Sequence, residues 1–145
     1  MATPTVPAEV DFVALRDAVA ARMRTVDGLL VYPYFPGQIQ PPCVGLLSGE
    51  PYIDREMSMG GRGLETVALI AAVLVRLGSV EQSQRDIDEL VQSVVPALLT
   101  VPDPVDIVGA LKVPTVGGHD EVEFGGVKML ACRIDITCQV RRPAP

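Results

Sequence analysis

The chain has one histidine, His119, in the run Gly117-Gly118-His119-Asp120. A lone imidazole suits a general base or a metal ligand. No second histidine stands anywhere, and the three cysteines, Cys43, Cys132 and Cys138, form no CxxC pair, so a metal centre lacks its ligand set. His119 is therefore read as a solvated loop residue. Gly60-Gly61-Arg62-Gly63 lacks the spacing and the Lys-Ser/Thr of a phosphate loop. It opens a strand, not a helix, so no helix dipole waits to hold a phosphate. Ser48, Ser58, Ser79, Ser83 and Ser93 lack the GxSxG setting of an activated serine. Asp86, Asp88 and Glu89 read as a solvated helix side, and Asp54 and Glu56 as loop residues. Paired carboxylates doing acid–base work need surroundings that split their pKa values, and these positions are polar. The residue types name no catalytic, cofactor-binding or metal-binding group, so the expectation is a protein that is not an enzyme.

Bulk properties narrow the class. At 145 residues the chain fits one domain, with 1–7 as a loose arm and 141–145 as a tail. Apolar residues make up 48% and charged residues 21%, and mean hydropathy is +0.32. Either the core is large or partner subunits cover apolar surface. Net charge is −6. The Lys and Arg clusters that grip phosphate backbones are missing apart from Arg141-Arg142, so direct nucleic-acid binding is not expected. The longest uncharged apolar run, Thr66–Val75, falls short of the ~20 residues that span a bilayer as a helix, and no membrane association is expected. Cys132 and Cys138 lie about 20 Å apart along one strand at ~3.3 Å per residue, so they cannot pair. The cysteines read as small buried hydrophobes in a reducing cytosol.

The element pattern is helix, strand, strand, strand, helix, strand. Phe12, Leu15, Val19, Met23 and Val26 share one face of a helix over Ala8–Thr25, ended by Asp27-Gly28. Leu29–Tyr34 and Cys43–Ser48 read as strands. Pro41-Pro42 cannot donate to a ladder, so pairing begins after them. Gly49–Gly63 reads as a loop. Leu64–Leu77 fits a buried helix or a long strand by pattern; Val67, Leu69, Val73, Val75 and Leu77 would share one strand face and Ile70 and Leu74 the other, and its β-branched content favours a strand, central and covered on both sides. Ser79–Leu99 is the clearest helix, capped by Ser79 and ended or kinked by Pro96. Val105–Lys112 reads as a short helix or turn, and Pro114–Gly126 as loop with a small hairpin over Glu121–Phe124 and Val127. Lys128–Val140 alternates with period two, with Leu130, Cys132, Ile134, Ile136, Cys138 and Val140 facing the core. Strands in runs predict an α+β fold: a mixed, mostly antiparallel sheet of about four main strands flanked by two helices on one face.

One connector stands apart. Gly28–Leu47 (GLLVYPYFPGQIQPPCVGLL) holds Tyr32, Tyr34 and Phe35, half of the chain's six aromatic residues, and four of its thirteen prolines. An ordinary turn needs only Gly, Asn, Asp or Pro. Three aromatics in a connector need a surface to pack on: one or two of them cap the core beneath the first helix, or some form a protein–protein contact, where aromatics are enriched, and both readings can hold for different residues.

The run Val31–Pro42 (VYPYFPGQIQPP), the long strand through Leu77 leading into Glu81-Gln82-Ser83-Gln84-Arg85-Asp86-Ile87-Asp88, and the closing alternating strand together resemble the tail-terminator (tail-completion) proteins of long-tailed bacteriophages. The resemblance covers most of the chain, from the first helix through Val140, and rests on order and texture. It implies a structural virion protein of the tail and neck region, assembled in the host bacterial cytoplasm. Such proteins form a hexameric ring on the head-proximal end of the tail tube, stop tube polymerisation and present a surface to the head–tail connector. It implies no cofactor and no catalytic motif. The partners would be further copies of the chain, the tail tube protein and the connector or neck protein. Two loops carry the expected contacts: Tyr32, Tyr34, Phe35, Pro36 and Gln38 in the first, and Tyr52, Met57, Met59 and Arg62 in the second. Another neck or head-completion protein has a similar texture. A small ligand-binding α+β domain, with an apolar pocket behind the aromatic loop, is a second alternative.

Overall fold

The sheet is organised by its middle strand. The computed structural model describes residues 12–54, 64–99 and 111–141. In chain order the elements are α1 (Phe12–Met23), β1 (Leu30–Tyr32), β2 (Cys43–Asp54), β3 (Leu64–Arg76), α2 (Val80–Leu98), β4 (Lys112–Phe124) and β5 (Val127–Arg141). The described strands form one five-stranded sheet, ordered β1-β2-β3-β5-β4. β3 pairs antiparallel with β2 on one side and β5 on the other. Only β1 and β2 run parallel. The α+β class with a mostly antiparallel sheet is as expected, with one strand more than the four foreseen.

Both helices cover one face. Val67, Leu69, Ala71, Val73 and Val75 of β3 alternate into a core with Leu130, Cys132, Ile134, Ile136 and Cys138 of β5. Leu15, Val19, Ala20 and Met23 of α1 and Ile87, Val94 and Leu98 of α2 close it. Ser79 caps α2 by accepting from the Gln82 amide at 3.2 Å, the capping geometry its spacing predicts. Buried Ser83 secures the strand-to-helix corner: its hydroxyl accepts from the Gly78 amide at 2.8 Å and donates to the Arg76 carbonyl. Pro96 does not end α2, which runs to Leu98; it sits within the last turn. There Arg22 of α1 donates to the Leu98 carbonyl at 2.8 Å, satisfying one of the acceptors a helix end leaves open.

Several boundaries differ from the sequence expectation. The described part of α1 begins at Phe12, residues 1–11 lying outside the described residues, and it ends at Met23. β2 does not stop at Ser48 but continues to Asp54 through a wide bulge. Ser48 stands opposite Leu69 and Ile53 opposite Val67, so residues 49–52 face Ala68 alone. Gly49 lies so close to Ala68 that an added Cβ would sit 2.6 Å from the alanine methyl. Tyr52 and Asp54, read as loop residues, therefore belong to β2. The segment Pro114–Gly126 is no loop with a small hairpin. It is most of a long edge strand, β4, joined to β5 by Gly125-Gly126 at φ 60° and 80°. An edge strand tolerates Pro114 and buries little, so no alternation announced it. Residues 100–110, including most of Val105–Lys112, lie outside the described residues.

The two faces of the sheet differ in burial, and this has a measurable consequence. Ile134→Ala, in the fully buried core, is expected to cost about 2–5 kcal/mol in urea unfolding. Ile70→Ala, on the half-buried opposite face, should cost less than half as much. Equal losses would mean that both faces are closed.

Candidate interaction site

The aromatic–proline connector earns its position from topology. β1 and β2 are adjacent and parallel, with Tyr32 opposite Gly45 at the end of the pair. Residues 33–42 must carry the chain back past the sheet before β2 can start at Cys43. A parallel connection of this kind is usually a helix. Here it is the connector itself, and it crosses the face opposite the helices. Tyr32, Phe35 and Ile39 pack there on Cys43, Leu74 and Met129, beside Val122, Phe124 and Ala131. Pro41-Pro42 is a cis peptide bond immediately before β2.

Two side-chain contacts fix the crossing. The Phe35 ring lies directly on Gly45, where an added Cβ would fall 2.3 Å from the ring. Phe35 also meets Phe124 of β4 at 6.0 Å between ring centroids, tilted by 40°. The Gln40 amide donates to the Tyr32 hydroxyl at 3.3 Å, closing the connector on its own start.

A third contact comes from α1. Arg16 is only 8% exposed. Its guanidinium donates to the Pro33 carbonyl at 3.2 Å, the Leu46 carbonyl at 3.3 Å and the Ser48 hydroxyl at 3.1 Å. Pro33 and Leu46 are the residues just beyond the last β1–β2 pair, so Arg16 fills the fork where these strands part. The Tyr34 ring lies on the same guanidinium, 4.6 Å from its carbon. No carboxylate among the described residues bonds Arg16, and its Nε is buried without a hydrogen bond. A buried cation satisfied by neutral oxygens and an aromatic face is held by geometry, which a guanidinium fork provides and an ammonium does not.

The expected contact residues separate on this frame. Tyr32 and Phe35 are half-buried, while Tyr34 is 50% exposed and Pro36 and Gln38 are exposed. Tyr52 does not join them: it is half-buried in β2 and stacks on Phe12 at 5.6 Å. Met57, Met59, Arg62 and the Gly60–Gly63 run lie outside the described residues. Arg16, Ile39, Phe124 and Gly45 were not singled out from sequence. Arg16 had a signal: it interrupts the apolar stripe of α1 between Phe12 and Val19, where a solvated arginine has no place.

Beside the connector, Leu30 and Leu47 are 46% and 43% exposed. Strand alternation places both on the same sheet face as Phe35, so that face carries uncovered apolar surface. A groove of about 500 Å³ separates the connector from the β4–β5 turn, bordered by Tyr32, Ile39 and Phe124.

His119 is exposed, as expected, but it is a strand residue and not a loop residue. It lies in β4, opposite Cys132 of β5, and its Nε2 stands 2.9 Å from Asp88 Oδ1 on α2. A cysteine, a histidine and an aspartate thus come together from three elements. The Cys132 thiol donates to the Gly117 carbonyl at 3.3 Å, and its pKa is raised, first by burial and then by Asp88 and Asp120. A nucleophilic thiol needs the opposite shift. The set ties β4 to α2 and keeps sulfur protonated. Burial likewise pushes the Cys43 thiol up to about 11. Among the described residues no cluster of His, Cys, Asp or Glu has the makings of a metal site, and no helix is long and apolar enough to cross a membrane.

No family model matches the chain, and no curated protein is similar to it.

Expected outcomes follow for Arg16, Gly45 and Cys43. Arg16→Ala should lower stability by about 2–4 kcal/mol in denaturant unfolding, because two buried carbonyls lose a charged donor. Arg16→Lys should recover less than half of that. Gly45→Ala should cost about 1–3 kcal/mol, through displacement of the Phe35 ring, and a crystal structure of the variant would show the ring moved. The Cys43 thiol is more easily ionised in the unfolded chain, near its usual ~8.5. Its contribution to stability is therefore complete below that pH and is lost as pH rises toward about 11. Native protein at pH 8 should react with a thiol reagent only at the rate of unfolding; fast labelling of Cys43 would contradict its burial.

Proposed function

We propose that this chain is a structural ring subunit of a long phage tail, a tail terminator. It caps the head-proximal end of the tube, stops its growth and meets the head–tail connector. The observation that carries this reading is the pinned aromatic connector. A buried arginine and a glycine seat hold it on the sheet face away from the helices, with Tyr34 exposed and Leu30 and Leu47 uncovered nearby. Preorganised aromatics beside open apolar surface suit a lasting protein contact, because little ordering is left for binding to impose. A closed ring needs two unlike patches on each subunit, and the connector face supplies one of them. A terminator must also match the last tube ring on one side and refuse a further tube subunit on the other. Nothing in this role calls for catalysis, a cofactor or a metal.

Mass photometry of the purified chain, then negative-stain imaging, tests the reading. The expected species is a ring near six times 15.5 kDa, or a monomer that assembles when tube ends are added. Tyr34→Ala should abolish ring formation or tube docking while leaving the unfolding midpoint within about 1 kcal/mol of wild type. Rings and docking that survive Tyr34→Ala would remove the connector from the contact. Co-purification with portal-side protein in place of tube protein would assign the chain to the neck. A stable dimer with a ligand-dependent melting shift would replace both assignments with a binding domain.

A further inference from the structure

The groove beside the connector has a particular chemistry. Its walls are Tyr32, Ile39 and Phe124, its rim carries the Gln38 and Gln40 carboxamides, and Gly125 and Val127 of the β4–β5 turn close one end. Among the described residues no charged side chain lines it. Flat rings offer contact area to proline, and the carboxamides offer donors. A polyproline II backbone has no internal hydrogen bonds, so its carbonyls are free to accept them. Aromatic grooves of this kind take P-x-x-P segments.

The chain carries such a segment. Pro4-Thr5-Val6-Pro7 has the P-x-x-P spacing, and no charged residue precedes Glu9. A polyproline II segment has three residues per turn and ~3.1 Å rise, so prolines at P-x-x-P spacing share one edge about 9 Å apart. We propose that the Tyr32–Phe124 groove receives residues 3–7 of a second copy of this chain. The second copy rests on the ring reading above; the groove's preference for the segment does not.

Reach argues for a second copy. The described part of α1 begins at Phe12, whose ring meets Tyr52 on the helix side of the sheet. The groove lies on the other face, at the Cys43 end of β2. Ile53, next to Tyr52, stands opposite Val67, and Cys43 stands opposite Leu74. Those levels are seven β3 residues apart, about 23 Å at ~3.3 Å each. Pro7 is five residues from Phe12, a reach of about 17 Å. A chain's own Pro7 falls short even before the sheet is rounded. Exchange of this arm joins unlike patches, the contact type that closes rings.

The test uses full-length, nitrogen-15-labelled chain carrying Pro4→Ala and Pro7→Ala, so that its own arm does not compete. It is titrated with a synthetic peptide of the sequence Ala2–Ala8. Saturable shifts at the amides of Gln38, Ile39, Gln40, Phe124 and Gly125 are expected. Replacing both peptide prolines by alanine should weaken binding at least about tenfold. No saturable shift at about 1 mM, shifts elsewhere, or equal binding by the alanine peptide would overturn the proposal. In the unsubstituted chain the same amides should move toward the bound positions as concentration rises. Bound positions at every dilution would mean that a chain's own arm fills the groove, which overturns the second-copy assignment. Rings without peptide binding overturn the groove proposal and spare the terminator reading. Peptide binding by a chain that stays monomeric even on tube ends supports the groove's preference and removes the ring.

Discussion

The constraint on which the candidate site depends is the buried guanidinium of Arg16. β1 and β2 are parallel neighbours that separate after Tyr32 and Gly45, and a separating pair leaves carbonyls without partners. Arg16 reaches from α1 into that fork and donates to both exposed ends, Pro33 and Leu46, and to Ser48. The helix layer, the sheet edge and the start of the connector are thereby joined at one point. The same group carries the Tyr34 ring. A carboxylate partner would have paid for burial of the charge more fully. Among the described residues its partners are neutral oxygens and an aromatic face, an arrangement demanding of geometry.

From that point the two faces of the sheet diverge. The helix face is closed by apolar residues of α1, α2, β3 and β5, and supplies most of the core. The connector face is closed only where Tyr32, Phe35 and Ile39 lie. The connector thus serves as both lid and edge. Its inner residues complete a small second core, and its outer residues, Tyr34, Pro36 and Gln38, stand in solvent. Phe35 settles on Gly45 because no side chain occupies that position. The same bare glycine that weakens a strand allows a ring to cross it closely.

Much of this was legible from sequence. The β-branched content of Leu64–Leu77 favoured a central strand, and its alternation grouped Val67, Leu69, Val73 and Val75 on one buried face; the opposite face, expected to be covered as well, leaves Ile70 half-buried. Ser79 with Gln82 marked the start of α2, and the alternation from Leu130 to Cys138 marked β5. What escaped notice was set by long-range partners. β4 is exposed along most of its length, so it carries no periodic signal; its order comes from β5 and from the His119–Asp88 contact. The extension of β2 past Ser48 depends on a bulge that only β3 defines. Tyr52 was read as a loop residue; its place in β2 and its ring contact with Phe12 depend on partners far along the chain. The aromatics of the connector were visible, but which of them point inward follows from the parallel pairing of β1 and β2, which sequence spacing does not reveal.

The most direct test of a preorganised connector is its motion in the free chain. Backbone nitrogen-15 relaxation should give residues 34–40 order parameters near those of the sheet, about 0.85. Values below about 0.6 across the connector would contradict the account, because a loop that samples many conformations is not held by Arg16 and Gly45.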